Sequence, residues 1–169
     1  MKKLLIAAAA VALLAGGTAS SQSFSAQYDT SQYAGAALGL PITGYYGLSD
    51  LLFENTDVRA RLSVWPLGAL FVSVGADVLV PITAFDDAGS FVLYGGGGPS
   101  VGFTSLLGTS GLYVDVTGVI GANFRFSDQY SLFLDAGGGF GYGRVATPLG
   151  SAGGFLPAYR GAVGFLFHF

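Results

Sequence analysis

The sequence Tyr159-Arg-Gly-Ala-Val-Gly-Phe-Leu-Phe-His-Phe169 makes up the last eleven residues. Because side chains two apart in a strand share a face, this stretch predicts a strand with one apolar and aromatic face. The residues on that face are Tyr159, Gly161, Val163, Phe165, Phe167 and Phe169. Arg160 and His168 fall on the opposite face with small residues. The alternation favours a strand with lipid against its apolar face.

The other end of the sequence predicts export. Lys2 and Lys3 precede an uninterrupted apolar stretch over residues 4–15, and small residues follow it. A membrane-spanning helix needs about 20 apolar residues, so this stretch is too short to be one. We therefore predict that residues 1–20 are a secretory signal peptide cut by signal peptidase. Residues 21–169 then form one domain.

Composition excludes several classes of function. Beyond residue 20 the chain has five arginines, no lysine and ten acidic residues, so we expect no nucleic-acid partner. The absence of cysteine excludes thiolate metal sites and thiol nucleophiles, and we expect neither a metal nor a cofactor. The 28 glycines and the period-two alternation of apolar residues favour an all-β fold.

Strand-like alternation recurs along the domain. The predicted strands are residues 33–40, 45–53, 58–65, 70–80, 91–103, 112–126, 130–143 and 159–169. Segment 45–53 could instead be an exposed loop. As a strand, it brings the number of strands to eight, an even number as bacterial outer-membrane barrels require.

The connections and interruptions of the predicted strands are less regular than the strands themselves. Pro99 cannot donate a hydrogen bond to a neighbouring strand, so we expect a bulge, a kink or a strand end near Gly98. Short turns are predicted at 66–68 and 127–129, where Pro, Gly, Ser and Asp occur. Longer connections are predicted at residues 81–90, 104–111 and 146–157.

In five of the predicted strands, charged residues fall opposite the apolar face. These residues are Arg59, Arg61, Asp77, Asp115, Arg125, Asp135 and Arg160. A charge facing lipid at mid-depth costs about 2 to 4 kcal/mol, so we interpret this face as the lumen of a closed antiparallel transmembrane β-barrel. Since an eight-stranded barrel has room only for side chains, we predict that the seven residues form a salt-bridge network that plugs the lumen. A narrow channel or a ligand site is the alternative.

The final strand resembles the C-terminal sorting strand of bacterial outer-membrane β-barrel proteins, which ends in Phe after alternating apolar residues. The domain as a whole resembles small eight-stranded barrels of the opacity-protein-like and adhesin-like group. This resemblance implies an assembly strand that the barrel-assembly machinery recognises. Its residues are Tyr159, Val163, Phe165, Phe167 and Phe169.

The resemblance also implies a location in outer-membrane lipid of a diderm bacterium. It implies a non-catalytic role in envelope structure or surface interaction, with a porin-like channel as the alternative. Lipid A-modifying enzymes of similar fold use a His with a nearby Ser. His168 is the only histidine, but the final strand contains no serine and its penultimate position predicts a residue at the barrel rim. We therefore expect no enzyme.

Overall fold

The computed structural model describes residues 32–39, 41–53, 55–65, 70–85, 90–106 and 109–169. They form eight antiparallel strands that close into a barrel in sequence order, which confirms the predicted closed antiparallel all-β barrel. The strands are β1 Gln32–Gly39, β2 Ile42–Ser49, β3 Asp57–Trp65, β4 Leu70–Ala84, β5 Phe91–Leu106, β6 Thr109–Arg125, β7 Tyr130–Thr147 and β8 Gly150–His168. The predicted signal peptide lies outside the described residues.

The segment of uncertain type is strand β2, which begins earlier and ends earlier than predicted. Asp50 and Asn55 both adopt a positive φ, of 57° and 62°, in the connection that follows. Asp and Asn tolerate this left-handed conformation better than most residues. Asp50 Oδ1 also accepts a hydrogen bond from the Asn55 backbone nitrogen at 2.7 Å, and the chain therefore turns directly after β2.

Two of the predicted long connections are wrong. Strand β5 continues to Leu106 and β6 begins at Thr109, while β7 continues to Thr147 and β8 begins at Gly150. The second turn closes tightly because Thr147 Oγ1 accepts from the Leu149 nitrogen at 3.2 Å and donates to the Gly150 carbonyl at 3.1 Å. Residues 146–157 are consequently a strand hairpin rather than a loop.

Neither Pro99 nor Pro157 ends a strand. The β5–β6 register is unbroken through Pro99, and the register shift in this region lies instead between Pro81 and Thr83. Gly98 lets β5 approach the Ala76 carbonyl of β4 more closely than any side chain would allow. Pro157 is tolerated because this part of β8 pairs with β7, whereas β1 pairs only with residues 162–168.

The strands differ in length around the barrel. Strands β1 to β3 have 8 or 9 residues, whereas β4 to β8 have 15 to 19. We call the end that carries Gln32 and His168 the proximal end, and the end with the Thr147–Gly150 turn the distal end. Because β1 pairs with β8 only from Tyr33↔His168 to Gly39↔Ala162, the β7–β8 hairpin rises distally past β1.

The two faces of the wall have opposite chemistry. Large apolar side chains face outward, and some are almost fully exposed, including Leu38 at 74% and Phe140 at 78%. Polar and charged side chains face inward and are buried, with Arg59 at 1% and Asp77 at 0% exposed. Most buried polar and charged side chains of the described residues therefore lie in the lumen.

Candidate functional site: the lumen

Asp77 is the centre of the charged groups in the lumen. Arg160 Nη1 donates to Asp77 Oδ1 at 2.9 Å and to Oδ2 at 2.8 Å. Arg59 Nη2 lies 3.5 Å and Arg61 Nε 3.4 Å from Asp77 Oδ2. One fully buried carboxylate thus contacts three guanidinium groups, and Coulomb attraction in this shielded setting is stronger than at a surface.

Asp135 supplies the second carboxylate. It accepts a hydrogen bond from Arg59 Nη2 at 2.6 Å through Oδ2 and from the Tyr94 hydroxyl through Oδ1. The Arg59 guanidinium also lies 4.6 Å from the centre of the Tyr45 ring and 5.7 Å from that of Phe133, which adds cation–π attraction. Arg59 therefore has both ionic and aromatic partners.

The β-sheet register explains how these long side chains fit. Each arginine lies opposite a glycine of the neighbouring strand: Arg59 opposite Gly47, Arg61 opposite Gly75, and Arg160 opposite Gly137. A Cβ atom at Gly75 would lie 3.0 Å from Arg61 Cζ, and one at Gly137 would lie 3.2 Å from Arg160 Cγ. Gly75 and Gly137 therefore leave room for the arginine side chains opposite them, whereas Gly47 leaves room for the Tyr33 ring.

Five of the seven predicted lumen residues thus come together. We call them the ionic layer: Arg59, Arg61, Asp77, Asp135 and Arg160. The layer has three positive and two negative side chains. It crosses the barrel between the proximal and distal halves.

The expectation of one seven-residue network needs correction at two positions. Arg125 lies at the proximal rim, where Arg125 Nη2 donates to Asp128 Oδ1 at 2.6 Å and Asp128 is exposed. Asp115 lies on the distal side of the layer, where its Oδ2 accepts from Ser100 Oγ at 2.7 Å. Both residues face inward as predicted, but Arg125 is too near the end of β6 and Asp115 is held by a hydroxyl.

The proximal half of the lumen is packed. Its buried side chains include Tyr33, Leu79, Tyr94, Phe133 and Leu166. Asp57, one residue before the predicted third strand, is buried with them near the Ser49 and Tyr33 side chains. Extending the alternation of Arg59 and Arg61 by two residues would have found it.

The sequence analysis also missed the partner of His168. Ser131 Oγ on β7 lies 3.1 Å from His168 Nε2, and both residues are buried. His168 lies at the proximal end of β8, and its ring packs inward at 5.5 Å from that of Tyr33 rather than projecting into solvent. The distance matches a nucleophile and its base. However, the cavity beside His168 measures only about 10 Å³, which leaves no room for a substrate.

The distal half contains a cavity of about 280 Å³. We call it the distal cavity. Its walls carry small polar, aromatic and apolar side chains, and the ionic layer contributes Arg61, Asp135 and Arg160 to it. Representative wall residues are Thr43, Ser63, Ser73, Ser100, Tyr113 and Leu156. The lumen is therefore filled in its proximal half and hollow in its distal half.

The predicted assembly strand is β8, and its residues alternate as expected. Tyr159, Val163, Phe165, Phe167 and Phe169 are 39 to 80% exposed, whereas Leu166 and His168 are buried. The Phe169 backbone nitrogen donates to the Gln32 carbonyl at 3.1 Å and the His168 nitrogen to the Gln129 carbonyl at 2.8 Å. Hydrogen bonds thus fix the end of β8 to both neighbouring segments.

Comparison with known proteins identifies no relative. The sequence matches no family model, no curated protein and no solved structure. In the described part of the chain, no helix is long and apolar enough to cross a membrane. Nor do the described residues include a group of three His, Cys, Asp or Glu side chains placed to hold a metal ion.

Proposed function

We propose that this chain is an integral outer-membrane β-barrel protein without catalytic activity, which contributes to envelope structure or to surface interaction. The observation that carries the proposal is the apolar outer surface of the closed barrel. Monomeric soluble proteins rarely expose continuous apolar patches larger than a few hundred Å². Here apolar side chains face outward on all eight strands, and lipid is the medium that makes such a surface favourable.

The distribution of charge on the outer surface supports the same proposal. Outside the lumen, the charged side chains of the described residues lie towards the two ends of the barrel. Asp50 and Asp128 lie in proximal turns, and Arg144 lies in the distal part of β7. The middle of the outer wall is left to apolar residues, as expected for a bilayer-facing belt.

An aromatic cluster at the proximal end fits the interfacial girdle of such barrels. The Tyr130 and Phe167 rings lie 5.3 Å apart, those of Phe167 and Phe169 lie 5.8 Å apart, and Phe126 lies 6.4 Å from Phe165. Aromatic side chains favour the boundary between lipid and water. We propose that this end faces the periplasm and that the β7–β8 hairpin extends outside the cell.

The ionic layer and the packed proximal half support a non-conducting role over the porin-like alternative. An ion crossing the lumen would have to pass Arg59 and Asp77, which are both buried and mutually held. On the proximal side of these two residues lies the packed cluster that includes Tyr33, Phe133 and Leu166. Moving these groups would separate buried charges, which is strongly unfavourable.

The proposal is tested by fractionation and conductance. The exported protein should be found with the outer membrane and should show the heat-dependent gel shift of a folded barrel. Purified protein in planar bilayers should give no conductance above that of empty bilayers. A variant with Arg59→Ala, Phe133→Ala and Asp135→Ala, which removes side chains from both the ionic layer and the packed half, is the control and should conduct once the same gel shift shows that it folds.

The alternatives give different results. Discrete openings from the unaltered protein would favour the narrow channel and contradict a closed lumen. A changed lipid A mass spectrum in a deletion strain would favour the enzyme. Recovery of the folded protein in the soluble periplasmic fraction would refute the membrane location itself.

A further inference from the structure

The distal cavity is polar on two sides and apolar between them. Arg61 on β3 and Arg160 on β8 lie on one side, while Asp115 and Thr117 on β6 lie on another. Each of these four side chains has a buried polar atom without a hydrogen-bond partner: Arg61 Nη2, Arg160 Nη2, Asp115 Oδ1 and Thr117 Oγ1. Unpaired buried polar groups are costly, so a ligand that satisfies donors and acceptors together gains from both.

The charge balance of the cavity decides the kind of ligand. The ionic layer has one positive charge in excess, and Asp115 above it compensates that charge. A ligand of net charge would therefore be favoured by one side and opposed by the other. A small zwitterion has no net charge and can present a carboxylate to the arginines and an ammonium group to Asp115 and Thr117.

The remaining wall indicates what the body of the ligand would be. The Phe71 and Tyr113 rings stack with their centres 5.3 Å apart and line the cavity with Leu156 and Pro157. Leu156 faces inward and is still 58% exposed. At about 280 Å³, the cavity is slightly below the range of roughly 300 to 1,000 Å³ of ordinary ligand pockets, so the ligand must be small.

We propose that the distal cavity binds a free α-amino acid with an apolar side chain. The carboxylate is held by Arg61 and Arg160, whose long side chains can turn their terminal nitrogens towards it. The ammonium group is held by Asp115 and Thr117, and the side chain packs against Phe71, Tyr113 and Leu156. This proposal depends on the barrel and its distal cavity. It does not depend on what contacts the outer surface of the barrel.

The test uses the full folded protein in lipid nanodiscs, with empty nanodiscs as the blank, and titration calorimetry with three related probes. These probes are phenylalanine, 3-phenylpropionate without the amine, and 2-phenylethylamine without the carboxylate. Phenylalanine should bind, and each of the other two should bind about tenfold more weakly or less, since each loses a charge-assisted hydrogen bond. If either half-ligand binds as tightly as phenylalanine, or if none binds, the proposal is wrong.

Two glycine variants locate the site without altering a charge. A Cβ at Gly143 meets nothing closer than Leu156 Cδ1 at 3.5 Å and faces the cavity, so Gly143→Leu should fill it. A Cβ at Gly118 meets nothing closer than 3.8 Å but faces outward, so Gly118→Leu is the control. Phenylalanine binding should fall about tenfold in Gly143→Leu and be unchanged in Gly118→Leu, because only the first occupies the cavity. Equal binding by both variants would refute the location.

Discussion

The two halves of the lumen are built on the same strands but differ in how they are filled. The proximal half contains Tyr33, Leu79, Tyr94, Phe133 and Leu166, which pack into two apolar clusters. The distal half has many Thr, Ser and Gly residues at inward positions beside Phe71 and Tyr113, and a cavity of about 280 Å³ remains. The comparison shows that alternation sets which residues face inward, while their size decides whether the barrel is closed.

The ionic layer separates these two environments and stabilises both. Arg59 lies against the Phe133 ring of the packed half and against the Tyr45 ring, which also lines the distal cavity. The distal side of the layer borders the cavity through Arg61 and Arg160. Substitutions in the layer should therefore have larger effects than substitutions in the distal half.

The largest effect is expected for Asp77→Asn. This change removes the carboxylate that three arginines contact and leaves their charges in excess. Breaking a buried ion pair typically costs about 3 to 5 kcal/mol of unfolding free energy. Asp115→Asn, which retains a side-chain oxygen for Ser100, should cost about 1 kcal/mol or less. Equal losses in urea unfolding of the micelle-refolded protein would contradict a layer centred on Asp77.

Phe133→Ala tests the packed half. Phe133 is 1% exposed and meets the Tyr45 ring edge-on at 5.3 Å. Truncating a buried Phe leaves a cavity and costs about 3 kcal/mol or more. Phe140 on the same strand faces outward and is 78% exposed, so Phe140→Ala is the matched control and should cost much less. A reversed order of unfolding midpoints would mean that the two faces of β7 are assigned incorrectly.

Two glycine-to-alanine substitutions compare how tightly the two halves of the lumen are packed. A Cβ at Gly121 would lie 2.5 Å from Tyr94 Cζ and 2.5 Å from Asp135 Oδ1, so Gly121→Ala should cost about 1 to 3 kcal/mol through overpacking. A Cβ at Gly143 has only ordinary contacts, the nearest at 3.5 Å. Gly143→Ala should be neutral or stabilise by about 0.4 to 1 kcal/mol, because it restricts the unfolded chain. Similar losses for both, measured by the same urea titration, would contradict an open distal half.

Much of the barrel could be predicted because its causes are local. Alternation alone placed Arg59, Asp77 and Asp135 on the inward face, where the structure has them. The strand ends depended on pairing instead. The sequence analysis placed Pro157 in a connection, yet it lies in β8. A proline is tolerated there because β1 is too short to pair with that part of β8. Local sequence does not encode the length of a neighbouring strand.

The contacts of the site were less predictable because they depend on register. Ser131 and His168 are 37 residues apart in sequence and meet only through the β7–β8 pairing. Likewise, Arg125 and Asp115 lie on the same face of β6. Arg125, however, is at the rim of the barrel, where it pairs with Asp128. The sequence predicted which face of its strand a side chain occupies, but it did not predict the position of that side chain along the barrel axis.

The smallest effect is expected for two serine substitutions that each remove one hydroxyl. Ser131→Ala removes the contact with His168 Nε2 in the packed half, and Ser63→Ala removes the 2.9 Å contact with Thr43 Oγ1 beside the distal cavity. Ser131→Ala should cost about 1 kcal/mol, because no water can replace a hydroxyl in the filled half. Ser63→Ala should cost about half as much, since the cavity admits water to Thr43. Urea midpoints of the two variants decide the order. A Ser131→Ala protein that is as stable as the unaltered one but changes the lipid A mass spectrum would instead make Ser131 and His168 a catalytic pair.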